Sequence, residues 1–368
     1  VGADYLHNTA ILPDDKIAIV TFGIVMSGLI SILAGFLVRK LGKDVIDRIL
    51  PATITGPIAM VIGLTLAGNA LADAAPATAG PGLVNNLPWI VSLVTLIATI
   101  IFSVYLKGFL SQLPLFLGML VGVVVAAILT AVTGSDLFRQ LPEAVASQGI
   151  FAVPHFTIPK IYWPAALAIM PVALATIPES TAHIYQLDVY VNDLAKKLGK
   201  KKEYDLANLL GDNLIGDGVG DMVAGFMGGP AGTNYGENIS AMAITRVFSV
   251  PVLITAAIIA MIIACFTPLV KAIYSIPLSV IGGLEIYLFG AIAAQGIAIM
   301  IDKQVDMFSA KNIAVIATIS VIAIGGQYYF GGMIPFFGMQ LPALATASIF
   351  GIVLNALLNI GQSRKKAE

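Results

Sequence analysis

Residues 228–246 read GGPAGTNYGENISAMAITR, inside a chain that is otherwise mostly apolar helix. Gly228, Gly229, Pro230 and Gly232 do not readily continue a helix. A helix-compatible run begins near Glu237 and continues through Ala241, Met242, Ala243 and Ile244. The segment is therefore expected to enter a membrane extended and to turn helical partway across. Broken backbone at that depth is tolerated only where it is buried in protein or lines a cavity. A helix that starts there points unpaired N–H groups and a positive dipole end at the cavity. Glu237 stands at that start, and an acid inside the membrane is a functional candidate.

Composition agrees with a membrane setting. The 368 residues are 58% hydrophobic and 11% charged, against about 25% charged in a soluble domain. Mean hydropathy is +0.92. The net charge of −1 and the lack of a basic stripe interleaved with aromatics give no reason to expect nucleic-acid binding. Cys265 is the only cysteine, so an internal disulfide is excluded. His7, His155 and His183 are too scattered for a multi-histidine metal site.

Apolar runs of roughly 17–25 residues mark eleven membrane segments. They lie at about 16–38, 51–71, 89–106, 110–132, 163–185, 206–227, the broken 228–246, 249–268, 276–301, 312–325 and 341–360. Lys and Arg test this count. With the C-terminus cytoplasmic, the inside loops hold 16 of the 20, and only Lys16, Arg139, Lys160 and Lys271 lie outside. One missed or extra helix would scramble that asymmetry. Topology alone accounts for the lysine run 196–202, and it places Val1 outside.

Glu179 and His183 are four residues apart and share a helix face, with Pro178 expected to loosen the helix beside them. The plain reading is a satisfied polar pair between helices. The functional one is a proton path or a polar substrate, favoured because Glu237 supplies a second acid. Two carboxylates facing one small cavity do not both ionise easily, so one of them is expected to exchange a proton. A carboxylate accepts N–H donors of a planar heterocycle, and backbone N–H groups near Tyr235, Gly236 and Glu237 suit its carbonyl oxygens. Glu285, in GGLEIYLFG, is a third acid. Asp217 and Asp221 share a face of the sixth segment and suggest a cation site, but the glycines around them read first as close helix packing. Ser180 beside His183 raises an intramembrane hydrolase, which lacks an evident oxyanion site.

YGENISAMAITRVFS, residues 235–249, resembles the signature of the nucleobase–ascorbate transporter family, in particular bacterial uracil permeases. Glu237, Asn238, Thr245 and Arg246 match it, while Ser240 stands where Gly is usual. PESTAH, with Glu179 and His183, and IPLSVIGGLEIYLFG, with Glu285, resemble two further family segments. The resemblance implies an all-α polytopic fold of two inverted seven-helix repeats. Residues 16–38 and 163–268 would belong to a substrate-binding core domain, and 50–133 and 276–360 to a gate domain. The eleven segments align with helices four to fourteen, so the first three are expected to be missing. A short strand at 231–235 would then lack its partner, and the chain as given is expected to be an incomplete transporter. The resemblance implies nucleobase binding by Glu179, Tyr235, Gly236 and Glu237, and proton coupling by Glu179 with His183. Asn238, Thr245, Arg246 and Phe289 would have supporting roles. Glu285 stands where uracil permeases have a small residue near the substrate, and Phe289 where some have Tyr.

The resulting expectation is a proton-coupled uracil symporter without cofactor, with Na+ as the other coupling ion. It would lie in the bacterial inner (plasma) membrane as a homodimer through the gate. A xanthine or other purine permease and an anion transporter of the same architecture are the alternatives.

Overall fold

The computed structural model describes residues 13–42, 50–75, 82–141, 143–234, 236–336 and 339–365. Tyr235 lies outside them, as do the side chains of Glu237 and Ser240. The chain folds as helices α1 (Pro13–Leu41), α2 (Ala52–Thr65), α3 (Ala67–Ala74), α4 (Leu87–Tyr105) and α5 (Pro114–Thr133). There follow α6 (Trp163–Ile169), α7 (Ala173–Lys197), α8 (Leu210–Phe226), α9 (Gly236–Thr245), α10 (Val250–Ala264) and α11 (Thr267–Ser275). The last elements are α12 (Leu278–Asp302), α13 (Ala310–Phe330), β1 (Met333–Phe336), β2 (Met339–Pro342) and α14 (Ala343–Lys365). Among the described residues six helical stretches are long and apolar enough to cross a membrane, at 14–41, 52–74, 84–105, 114–133, 278–301 and 310–330. Two shorter apolar helices cover 250–264 and 343–359. This is an all-α polytopic membrane protein.

The chain divides into two compact units. The first comprises residues 1–65, 156–239 and 292–368, and the second 66–155 and 240–291.

In the first unit α1 and α8 run antiparallel in close contact. Gly28 and Gly35 of α1 face Gly218 and Gly211 of α8; a Cβ on Gly28 would lie 2.5 Å from the Gly218 carbonyl oxygen. Gly225 continues the row against Thr21 and Val25. The seven-residue spacing keeps the small residues on one seam, as two helices crossing at a shallow angle require. Val38, Ile54, Ile58, Val61, Ile177, Leu214, Val315 and Ile319 form the apolar core beside that seam.

In the second unit α4 presents Thr95 and Thr99 to Gly122 and Gly118 of α5. Both hydroxyls donate back to their own helix, to the carbonyls of Val91 and Thr95 at 2.8 Å, so neither is left unpaired in the interface.

Two features differ from the sequence expectation. The irregular turn falls at Met170–Val172, around Pro171, and α7 runs unbroken through Pro178. Pro178, the sixth residue of α7, removes one helix hydrogen bond without ending the helix. The described residues 229–234 have no regular secondary structure and no strand among them. The two-stranded sheet lies instead at β1–β2, an antiparallel hairpin pairing Met333 with Pro342 and Phe336 with Met339. Gly331 and Gly332, at φ +61° and +87°, turn the chain from α13 into it.

Candidate functional site

The site is built on α8 and the segment that leaves it. Gly228, at φ +84°, ends the helix, and the next residues fold back along it. The Gly229 N–H bonds the Ala224 carbonyl at 2.8 Å, and the Gly232 N–H bonds Asp221 Oδ1 at 2.7 Å. Asn234 Nδ2 lies 3.5 Å from Asn213 Oδ1. These contacts descend α8 like rungs and carry the chain to Gly236, where α9 begins. Ten residues of α9 span about 15 Å, half of a bilayer's hydrocarbon core.

Between α8 and this segment is a cleft of about 550 Å³, lined by Asn213, Gly216, Asp217, Gly220, Asp221 and Ala224 on one side and by Pro230, Gly232, Thr233 and Asn234 on the other. Its size suits a small organic molecule. The glycines of α8 divide by face. Gly211, Gly218 and Gly225 pack on α1, whereas Gly216 and Gly220 meet nothing within 4 Å and open the cleft wall. Asp217 lines the cleft one turn before Asp221, and Asp221 stands at the edge of the packed seam, where a Cβ on Gly28 of α1 would lie 3.0 Å from its own Cβ.

Asp221 is 6% exposed. Asp217, one turn earlier, accepts the hydroxyl of the fully buried Ser180 at 3.3 Å. That bond ties α8 to α7 next to Glu179, which is half-buried, and three residues before His183, which is buried. Ser180 is thus turned to Asp217 and is not set up as a nucleophile against His183. Glu179 and His183 share α7 but do not line the cleft. Gly236 supplies the start of α9, Asn238, Thr245 and Arg246 follow on that helix or just after it, and Arg246 has a left-handed backbone at φ +57°. Glu285 and Phe289 lie on α12 within the second unit. One carboxylate oxygen of Glu285, Oε2, is buried without a hydrogen-bond partner. Among the described residues no group of three or more His, Cys, Asp or Glu is placed to hold a metal ion.

Sequence reasoning singled out Asp217 and Asp221 but read their surroundings first as packing. The signal it lacked was the split between the two glycine rows. Rows seven residues apart pack, and Gly216 and Gly220, off that register, do not.

A match to the Permease family covers residues 5–332. The chain belongs to that family. Its curated relatives include the uracil permease of Bacillus caldolyticus, 36% identical over 344 residues, which are 91% of this chain and 74% of that one. The putative pyrimidine permease RutG of Escherichia coli K12 is 30% identical over 361 residues, covering 98% and 75%. Among solved structures, the transmembrane domain of the cyanobacterium bicarbonate transporter BicA has a TM-score of 0.49 at 19% identity, covering 94% of this chain and 78% of that one. As a permease, the chain is a transporter and not an enzyme.

Proposed function

We propose that this permease carries a nucleobase, uracil in the first instance, together with a proton. The observation that carries the reading is the start of α9 at Gly236, reached through an irregular segment that walls a polar cleft. Backbone N–H groups at a helix start are donors for the two carbonyl oxygens of an imide ring. Glu237 at that start and Glu179 on α7 are the acceptors for its N–H groups. The curated relatives named uracil or pyrimidine permeases support the same substrate class.

Glu179, with His183 one turn away, is the proton-coupled group in this proposal. A protonated Glu179 still accepts through its carbonyl oxygen and no longer repels Glu237, so proton and nucleobase favour each other's binding. The core of the transporter then moves against the gate and exposes the site on the other side. The excess of Lys and Arg in one set of loops supports a cytoplasmic C-terminus in this proposal, with the protein in the plasma membrane. The family resemblance supports the inverted repeat, with core segments 16–38 and 163–268 and gate segments 50–133 and 276–360. It also supports a homodimer through the gate.

The reading is tested by equilibrium binding of radiolabelled uracil to the purified protein in detergent, with unlabelled uracil, xanthine and bicarbonate as competitors. Displacement by uracil alone is expected. Displacement by xanthine in preference to uracil would move the substrate to purines, and displacement by bicarbonate alone would overturn the nucleobase reading.

A further inference from the structure

We infer that Asp221 is a positioning residue: its carboxylate clasps the backbone of the irregular segment and so sets where α9 begins. This inference rests on the reading of that helix start as the ligand-binding point. The segment touches α8 at successive levels, and the Asp221–Gly232 bond is the middle contact. The contact above it, Gly229 to Ala224, is an ordinary helix-end bond and fixes only where α8 stops. The contact below it, Asn234 to Asn213, is long at 3.5 Å. The clasp at 2.7 Å is therefore the tight link between α8 and the residues that precede Gly236. It joins a carboxyl oxygen to a backbone donor at the short end of the N–H···O range.

Among the described residues the Gly232 N–H is taken by a side chain, Asp221 Oδ1, and not by a strand neighbour. A Cβ on Gly232 would sit 3.7 Å from Asp221 Oδ1, an ordinary contact, so the bond itself does not require glycine there. Asp217 performs the matching task one helical turn earlier, where it receives Ser180 of α7. One face of α8 thus holds both arms of the site, α7 beside Glu179 and the segment leading to Glu237. Asp221 acts through Gly232 and Gly236 and need not touch the substrate.

The test compares Asp221→Asn with Asp221→Ala. Asn keeps a carbonyl oxygen at the same reach; Ala removes the acceptor. KM for uracil uptake is expected to rise roughly tenfold in Asp221→Ala, the loss of one hydrogen bond to a charged group. It is expected to return to within about threefold in Asp221→Asn, with equal protein in the membrane. A second readout needs no substrate. In a Cys265→Ser background carrying Thr233→Cys, the rate of labelling by a small thiol reagent should increase several-fold with Asp221→Ala and little with Asp221→Asn. Should Asp221→Ala not accumulate, Asp221→Ser, too short to reach Gly232, takes its place. Equal KM and labelling in the Ala and parent proteins would overturn the proposal, as would Asn and Ala behaving alike. Faster labelling in Asp221→Ala alongside a parent protein that ignores uracil would uphold the clasp and overturn the substrate reading.

Discussion

At the scale of the residue, several polar side chains of the first unit tie separate elements together. Ser180 reaches Asp217, and Asp221 reaches the Gly232 backbone. Asp188 accepts the N–H groups of Leu206 and Ala207 at 2.6 and 3.3 Å. Asn192 both donates to the Tyr204 carbonyl at 2.7 Å and accepts its N–H at 2.9 Å, which pins the lysine-rich loop to the end of α7. Asn192→Ala leaves two backbone groups of Tyr204 without that partner and should cost about 1–3 kcal/mol, read as a lower thermal midpoint in detergent. Arg246 makes a different prediction. Its left-handed backbone follows directly on α9, a position that glycine fills without strain. Arg246→Gly should keep the thermal midpoint of the parent, whereas the β-branched Arg246→Val should lower it, at a cost of about 1–2 kcal/mol.

At the scale of the element, the seam between α1 and α8 is the feature most sensitive to side-chain size. Gly218→Leu would drive a side chain into the Gly28 carbonyl and Ile32, and α1 and α8 would have to separate. Overpacking of this kind costs about 1–3 kcal/mol or more, so the variant should lose monodisperse protein on size-exclusion chromatography. Gly216→Ala, on the open face two residues away, should leave the profile intact. The contrast also marks what the sequence made legible. Long apolar runs placed several helices within a few residues. The run 163–185 is nevertheless split between α6 and α7, which continues to Lys197, and 249–268 covers α10 and the start of α11. Glycine with proline placed the break after α8, because that signal is local. Which glycines pack and which line a cleft depends on where α1 lies, which no window of sequence carries. The Asp221–Gly232 bond spans eleven residues of chain without any periodic trace. The β1–β2 hairpin was hidden for a related reason. MIPFFGMQLP has two prolines and no polar alternation, so it reads as neither strand nor helix.

At the scale of the molecule, charge is distributed as transport across a membrane requires. Of the four basic residues assigned outside, three have structural work at their own surface. Arg139 Nε donates to the Ile276 carbonyl at 2.8 Å, Lys271 Nζ to the carbonyls of Ala146 and Gln148 at 2.9 Å, and Lys160 pairs with Asp15 at 3.1 Å. Those cations are tied to local carbonyls or an acid, as Arg39 is to Asp212 and Lys197 to Asp193 among the other set. The proposed coupling places one titrating acid, Glu179, on a helix held to α8 through Ser180 and Asp217. Glu179→Gln should therefore retain exchange of nucleobase across the membrane but lose its response to the proton gradient, measured as uracil counterflow against net uptake in proteoliposomes. The most direct test of the central claim is net uptake of radiolabelled uracil at pH 5.5 and pH 8 by cells that lack a uracil permease of their own. Proton-coupled transport predicts saturable uptake that is stronger at pH 5.5, collapses with a protonophore and disappears in Glu237→Gln. No uracil uptake by protein shown to be inserted in the membrane, or uptake indifferent to both pH and Glu237→Gln, would contradict it.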